Sequence, residues 1–235
     1  MKTKLLTLAL LLMGVSAGAQ TSISVSISDD CSQNGKKIRY GKENGYTWVD
    51  LGLSVKWATM NVGATAPEDY GYYFAWGETS EKSDYSWSTY KYCKGTSTTM
   101  TKYCTSSYYG TVDNKTVLEP EDDAAHVNWG GTWRMPTDAE WTELREQCTW
   151  EWTTQNNIEG YLVTSKKNGI SIFLPAAGYR DDTTFYIDSS YGSYWSSSLN
   201  EGRWYDAFIV DFYSYFVDRN SGSRDDGQSV RPVCP

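Results

Sequence analysis

The sequence predicts an α+β domain: a twisted, mostly antiparallel sheet with one or two helices and long loops. Three observations lead there. Residues 129–150, WGGTWRMPTDAEWTELREQCTW, hold the one clear amphipathic helix of the chain. Short runs rich in Tyr, Trp, Val and Ile, separated by Gly, Asn and Ser, fill most of the remainder, as short strands and turns do. Lys167-Asn168-Gly169 stands between two such runs, 161–165 and 170–174. Asn-Gly in that position is a strong hairpin signal, because both central residues of the turn need positive φ.

In chain order, residues 1–19 read as a secretory signal peptide. Lys2 and Lys4 form the basic end, 5–15 is an apolar run too short to span a bilayer, and Ala17-Gly18-Ala19 is a cleavage site before Gln20. Residues 20–44 read as a leading strand and a linker. Ile23, Val25 and Ile27 alternate with serines, and a polar, Gly-containing segment follows, which places the domain boundary near Gly45. Strands are expected at 46–49, 53–58 and 72–76. Residues 77–118 lack periodicity and read as a long irregular region. Pro120 and the acids behind it mark a short helix start.

The main helix opens on a capping box, Thr137 with Glu140. Trp141, Leu144 and Cys148 then share one face. Trp129, Trp133, Trp141 and Trp195 are expected in the core, with Leu144 and Phe173. Further strands are expected near 194–198, 205–212, 215–218 and 229–233.

Composition narrows the function. Past residue 19 the chain holds 19 basic and 29 acidic residues, a net charge of −10. That excludes the basic face on which nucleic-acid binding depends. No later apolar run approaches a transmembrane length. Eleven Trp and 19 Tyr leave many aromatic rings for the surface, as in carbohydrate-binding and protein-binding faces.

The span from about Val49 to Pro235 resembles the Fibrobacter succinogenes major paralogous domain family, common in secreted proteins of gut Bacteroidetes. The segments that carry the resemblance are VDLGLSVKWATMNVGA, YGYYFAWGE, DDAAHVNWGGTWRMPTDAEW, SIFLPAAGYR, GSYWSSS and SVRPVCP. RMPTDAEW and SVRPV are also similar to signature segments of the formylglycine-generating-enzyme superfamily. The resemblance implies a C-type-lectin-like fold for residues 45–235, with first and last strands meeting and ligand-binding loops above the sheet.

Five cysteines in an exported chain suggest two disulfides and one thiol left over, and spacing alone leaves the pairing open. The implied fold favours Cys148 with Cys234. Cys93 with Cys104 would then staple the irregular region and Cys31 would stay free.

Catalysis is not expected. The copper-binding cysteine pair of formylglycine-generating enzymes has no counterpart in 191–229. The single histidine, His126, sits in a scaffold motif, and acidic pairs such as Asp225-Asp226 read as solvated loops. Asp113, Asn114, Glu119, Glu121 and Asp122 offer oxygens for a calcium ion, but their position reads better as acidity at a helix start. The sequence calls for no cofactor and no metal.

The expectation is an exported, non-catalytic binding module recognising a glycan or a surface protein, secreted or on the cell surface. A structural part of an appendage is the alternative, and an oxidase the weaker one. The binding face is expected within 181–226, from Tyr186, Tyr191, Arg203, Tyr205, Tyr213, Tyr215 and Arg219.

Overall fold

The computed structural model describes residues 39–187 and 190–235. The signal peptide, the Ile23–Val25–Ile27 alternation and Cys31 lie outside the described residues. The first half carries β1 (Tyr40–Glu43), β2 (Tyr46–Val49), β3 (Lys56–Ala58) and β4 (Tyr73–Phe74), then helices α1 (Ala124–Trp129) and α2 (Asp138–Gln147). The second half is almost all strand: β5 (Cys148–Gln155), β6 (Ile158–Ser165), β7 (Ser171–Pro175), β8 (Tyr179–Asp181), β9 (Thr184–Tyr186), β10 (Tyr191–Leu199), β11 (Asp206–Tyr213), β12 (Phe216–Ser223), β13 (Gln228–Ser229) and β14 (Val233–Cys234). With two α-helices beside mostly antiparallel sheets among the described residues, the α+β class holds.

The strands form three sheets and a ribbon. Their orders are β1-β2-β3-β14, β12-β11-β10-β13-β4, β5-β6-β7 and β8-β9. β14 lies antiparallel to β3, with Val233 opposite Trp57. β1 and β2 turn through Asn44 and Gly45, at φ of 46° and 88°. Both residues therefore have the positive φ that a two-residue hairpin turn needs. Residues 40–43, read from the sequence as linker, are thus a strand paired with β2.

α2 begins as expected. The Thr137 hydroxyl accepts from the Glu140 amide at 3.3 Å, and the Glu140 carboxylate accepts from the Thr137 amide at 2.8 Å. Arg134 completes the corner with a 2.5 Å ion pair to Glu140. The helix stops at Cys148, where the chain becomes extended and enters β5. Thr149, Trp150, Trp152, Thr153 and Thr154 explain the switch, since β-branched and aromatic side chains suit a pleated surface.

All four tryptophans expected in the core are there, together with Leu144 and Phe173. Their indole N–H groups also tie elements together. Trp133 donates to the Glu43 carbonyl at 2.7 Å, Trp195 to Phe74 at 2.7 Å and Trp141 to Trp195 at 3.1 Å. Trp76 donates to Ser196 at 2.9 Å. A buried indole without such a partner would lose a water hydrogen bond and regain nothing.

Two arginines are wholly buried. Arg231 donates to Asn61 and to the Ala58 and Phe173 carbonyls, joining three segments at one point. Burial lowers its pKa to about 10, so it keeps its charge at neutral pH. Arg224 donates to the Tyr90 hydroxyl and to the carbonyls of Tyr103, Trp204 and Lys102. That one side chain pins the irregular region 77–118 to the sheet.

Candidate functional site

β10 and β11 run the width of the second sheet, with Tyr191 opposite Tyr213 at one end and Leu199 opposite Ala207 at the other. At the Tyr191 end the β8–β9 ribbon folds across. Gly178, at φ 65°, donates to the Tyr191 carbonyl at 2.8 Å. A Cβ on Gly178 would overlap the Tyr186 carbonyl oxygen, so the ribbon closes this tightly only with glycine there.

A cavity of about 330 Å³ results, lined by Tyr179, Phe185, Tyr186, Ile187, Tyr191 and Tyr213. Its rings form a continuous chain of contacts. Tyr186 stacks on Tyr179 at 4.9 Å, Tyr179 meets Tyr191 edge-on at 5.8 Å, and Tyr191 lies 4.7 Å from Tyr213. Tyr213 in turn stacks on Tyr215 at 5.9 Å. Tyr186 is 46% exposed and Tyr215 79%, which leaves broad ring faces open to solvent.

A carboxylate stands behind the wall. The Tyr191 hydroxyl donates to Asp211 Oδ2 at 3.4 Å, and Asn220 donates to the same oxygen at 3.3 Å. Asp211 is only 6% exposed, and its other oxygen, Oδ1, has no hydrogen-bond partner among the described residues. Burial raises the Asp211 carboxyl above its usual range. Burial, with the Asp211 charge adding to it, raises the Tyr191 hydroxyl. Burial likewise raises Tyr179, helped by Asp181 and Asp226.

The seven residues expected to form one face therefore divide. Tyr186, Tyr191, Tyr213 and Tyr215 converge at this end. Arg203 and Tyr205 belong to the far turn between β10 and β11, about 25 Å away along the strands. Arg203 pairs with Asp206 there, and Tyr205 is half-buried against the core beside Trp204. Arg219 reaches the start of α2, 2.7 Å from Asp138, and lies over Phe208. Tyr179 and Phe185 were missing from the expected set. The ribbon that carries them turns through Asp182-Thr183, which lacks the glycine that announces a hairpin.

Glu119, Glu121 and Asp122 lie within ligand distance of one another, but Lys102 Nζ stands among them, 2.5 Å from Glu119, 3.7 Å from Glu121 and 2.5 Å from Asp122. Asp113 spends its oxygens on the Tyr103 and Cys104 amides. His126 meets the Trp133 carbonyl through Nδ1 at 3.1 Å.

The Cys148–Cys234 bond implied by the resemblance is not formed. Both thiols are free and buried in different core clusters, Cys148 beside α2 with Trp141 and Cys234 with Trp129 and Trp133. Cys93 and Cys104 are free as well, each directed at a carbonyl of its own loop. Among the described residues no helix is long and apolar enough to cross a membrane. Comparison with models of known protein families, with curated proteins and with solved structures found no match.

Proposed function

We propose that the chain is an exported, non-catalytic glycan-binding module of C-type-lectin-like fold, acting at the bacterial surface. The tyrosine cavity between the β8–β9 ribbon and the paired ends of β10 and β11 holds one sugar ring. The observation that carries this reading is the unbroken path of ring contacts from Tyr186 to Tyr215 around a cavity of monosaccharide size. Apolar sugar faces stack on such rings, and phenol hydroxyls at their edges serve sugar hydroxyls. The pairing of β14 with β3 supports the fold assignment, because it brings the final strand beside an early one. The resemblance of several segments to the Fibrobacter succinogenes major paralogous domain family points to the same fold.

A glycan array probed with the chain from Gln20 onward tests the reading. Wild-type protein should bind a defined set of glycans, and Tyr186→Ala and Tyr215→Ala should each weaken that binding with little change in melting temperature. Unchanged binding in both variants would move the site elsewhere, and an array without any positive glycan would remove the glycan reading.

A further inference from the structure

The cavity has a sign as well as a shape. Among the described residues its lining holds no basic side chain. The Asp211 carboxylate stands directly behind Tyr191, nearly all of its surface buried, with one oxygen left without a partner among the described residues. The charged groups acting most on the Tyr179 and Tyr191 hydroxyls are acids: Asp181 and Asp226 for the first, Asp211 for the second. Arg180, a base close by, lies over the faces of Phe185 at 4.3 Å and Tyr73 at 5.3 Å.

Aromatic rings present negative faces, and several around one space attract a cation. A buried carboxylate behind them adds to that attraction, and weak solvation strengthens it. A neutral sugar would use the ring faces and leave this field unused. An acidic sugar would work against it.

We propose that the cavity selects an amine-bearing sugar: a hexosamine whose free ammonium sits among Tyr179, Tyr186, Tyr191 and Tyr213, with Asp211 as the countercharge behind the wall. This rests on the reading of the cavity as a sugar site.

Calorimetric titration with glucosamine, N-acetylglucosamine, glucose and glucuronic acid at neutral pH, where the free amine is protonated, tests it. Glucosamine should bind about fivefold to tenfold more tightly than glucose. N-acetylglucosamine, with the same ring but no charge, should lose that advantage, and glucuronic acid should bind worst. Asp211→Asn keeps the shape and removes the charge, so it should bring glucosamine down to the level of glucose while glucose binding persists. Tyr186→Ala should weaken all four sugars, which separates the cavity from general attraction of amines to an acidic protein.

Equal binding of glucosamine, N-acetylglucosamine and glucose would overturn the amine selectivity and leave the sugar site standing. A preference for glucosamine that survives in Tyr186→Ala would overturn it too, by tracing it to overall charge. Failure of all four sugars to bind would remove the sugar site along with it.

Discussion

The indole nitrogen of Trp141 on α2 donates to the backbone carbonyl of Trp195 on β10 at 3.1 Å, and both side chains are essentially inaccessible to solvent. The helix is thereby hydrogen-bonded to the middle of the sheet that forms the candidate site. Trp57 packs against the same indole at 4.7 Å, so three elements share this point. Trp141→Ala should cost about 3 to 5 kcal/mol, as large-to-small changes of buried aromatics do. Trp141→Phe keeps most of the volume but removes the bond to the Trp195 carbonyl, and should cost about 1 to 3 kcal/mol. Urea unfolding of the two variants checks both, and an unchanged midpoint for Trp141→Ala would refute the packing described.

Acidity should stabilise the protein over part of its range. Burial raises the Asp226 carboxyl to about 8, helped by repulsion from Asp225, Asp181 and Asp206, and burial raises Asp225 to about 6. Both groups bind protons more tightly folded than unfolded, where carboxyls titrate near 3.8. Stability from these two is therefore full below pH 3.8 and lost as pH rises toward 8. Asp122 acts oppositely. Hydrogen bonds from Lys102, Tyr92 and Tyr103 outweigh its burial and hold it at about 2, so its contribution fades as pH falls below 3.8. The melting temperature should rise between pH 8 and pH 5, and Asp226→Asn should flatten that rise. A wild-type melting temperature highest at pH 8 would contradict the assignment.

Calcium should not stabilise the wild-type protein through the acidic turn at Glu119–Asp122. The Lys102 ammonium already occupies the point where Glu119, Glu121 and Asp122 converge. Removing it, as in Lys102→Ala, leaves three carboxylates facing one another, with only the outlying Lys91 on Asp122 and Lys115 on Glu119 to offset their charge. That variant should be less stable in chelator and should regain stability with millimolar calcium, while wild-type melting stays constant. Thermal scans with and without calcium make the comparison. Equal calcium responses in the two proteins would mean that the ammonium is not what keeps the cation out.

The buried thiols should be silent in the folded protein. Burial pushes Cys148 and Cys234 each up to about 11, and only the thiolate is reactive. Alkylation followed by mass spectrometry should leave both unmodified until denaturant is added, and a reducing agent should leave the melting temperature unchanged. Recovery of a peptide pair joined through these cysteines from oxidised protein would show instead that the two clusters approach each other in solution.

The legible parts of this chain are those whose cause is local. Thr137 and Glu140 announce α2 because a capping box is complete within four residues, and Asn168-Gly169 announces β6–β7 for the same reason. Asn44-Gly45 is an equal signal, hidden by the charged residues around it, which made a strand resemble a linker. Arg224 and Arg231 could not be placed in the interior from sequence, because their burial depends on carbonyls more than a hundred residues away. The site was half legible for a related reason. Tyr205 and Tyr213 are neighbours in sequence, but β11 between them carries them to opposite ends of the sheet. Tyr191 and Tyr213 are distant in sequence and meet because the ladder pairs them.

The pairing of Val233 with Trp57 joins residues 176 positions apart. β3 cannot complete its ladder until nearly all of the intervening chain has been synthesised, and Arg231, which seals the Ala58 carbonyl, arrives with the same late segment. Folding that waits on so distant a contact is slow, because a long loop must close before the contact rewards it. Apolar surface around Trp57 stays uncovered meanwhile, so refolding at high concentration should compete with aggregation.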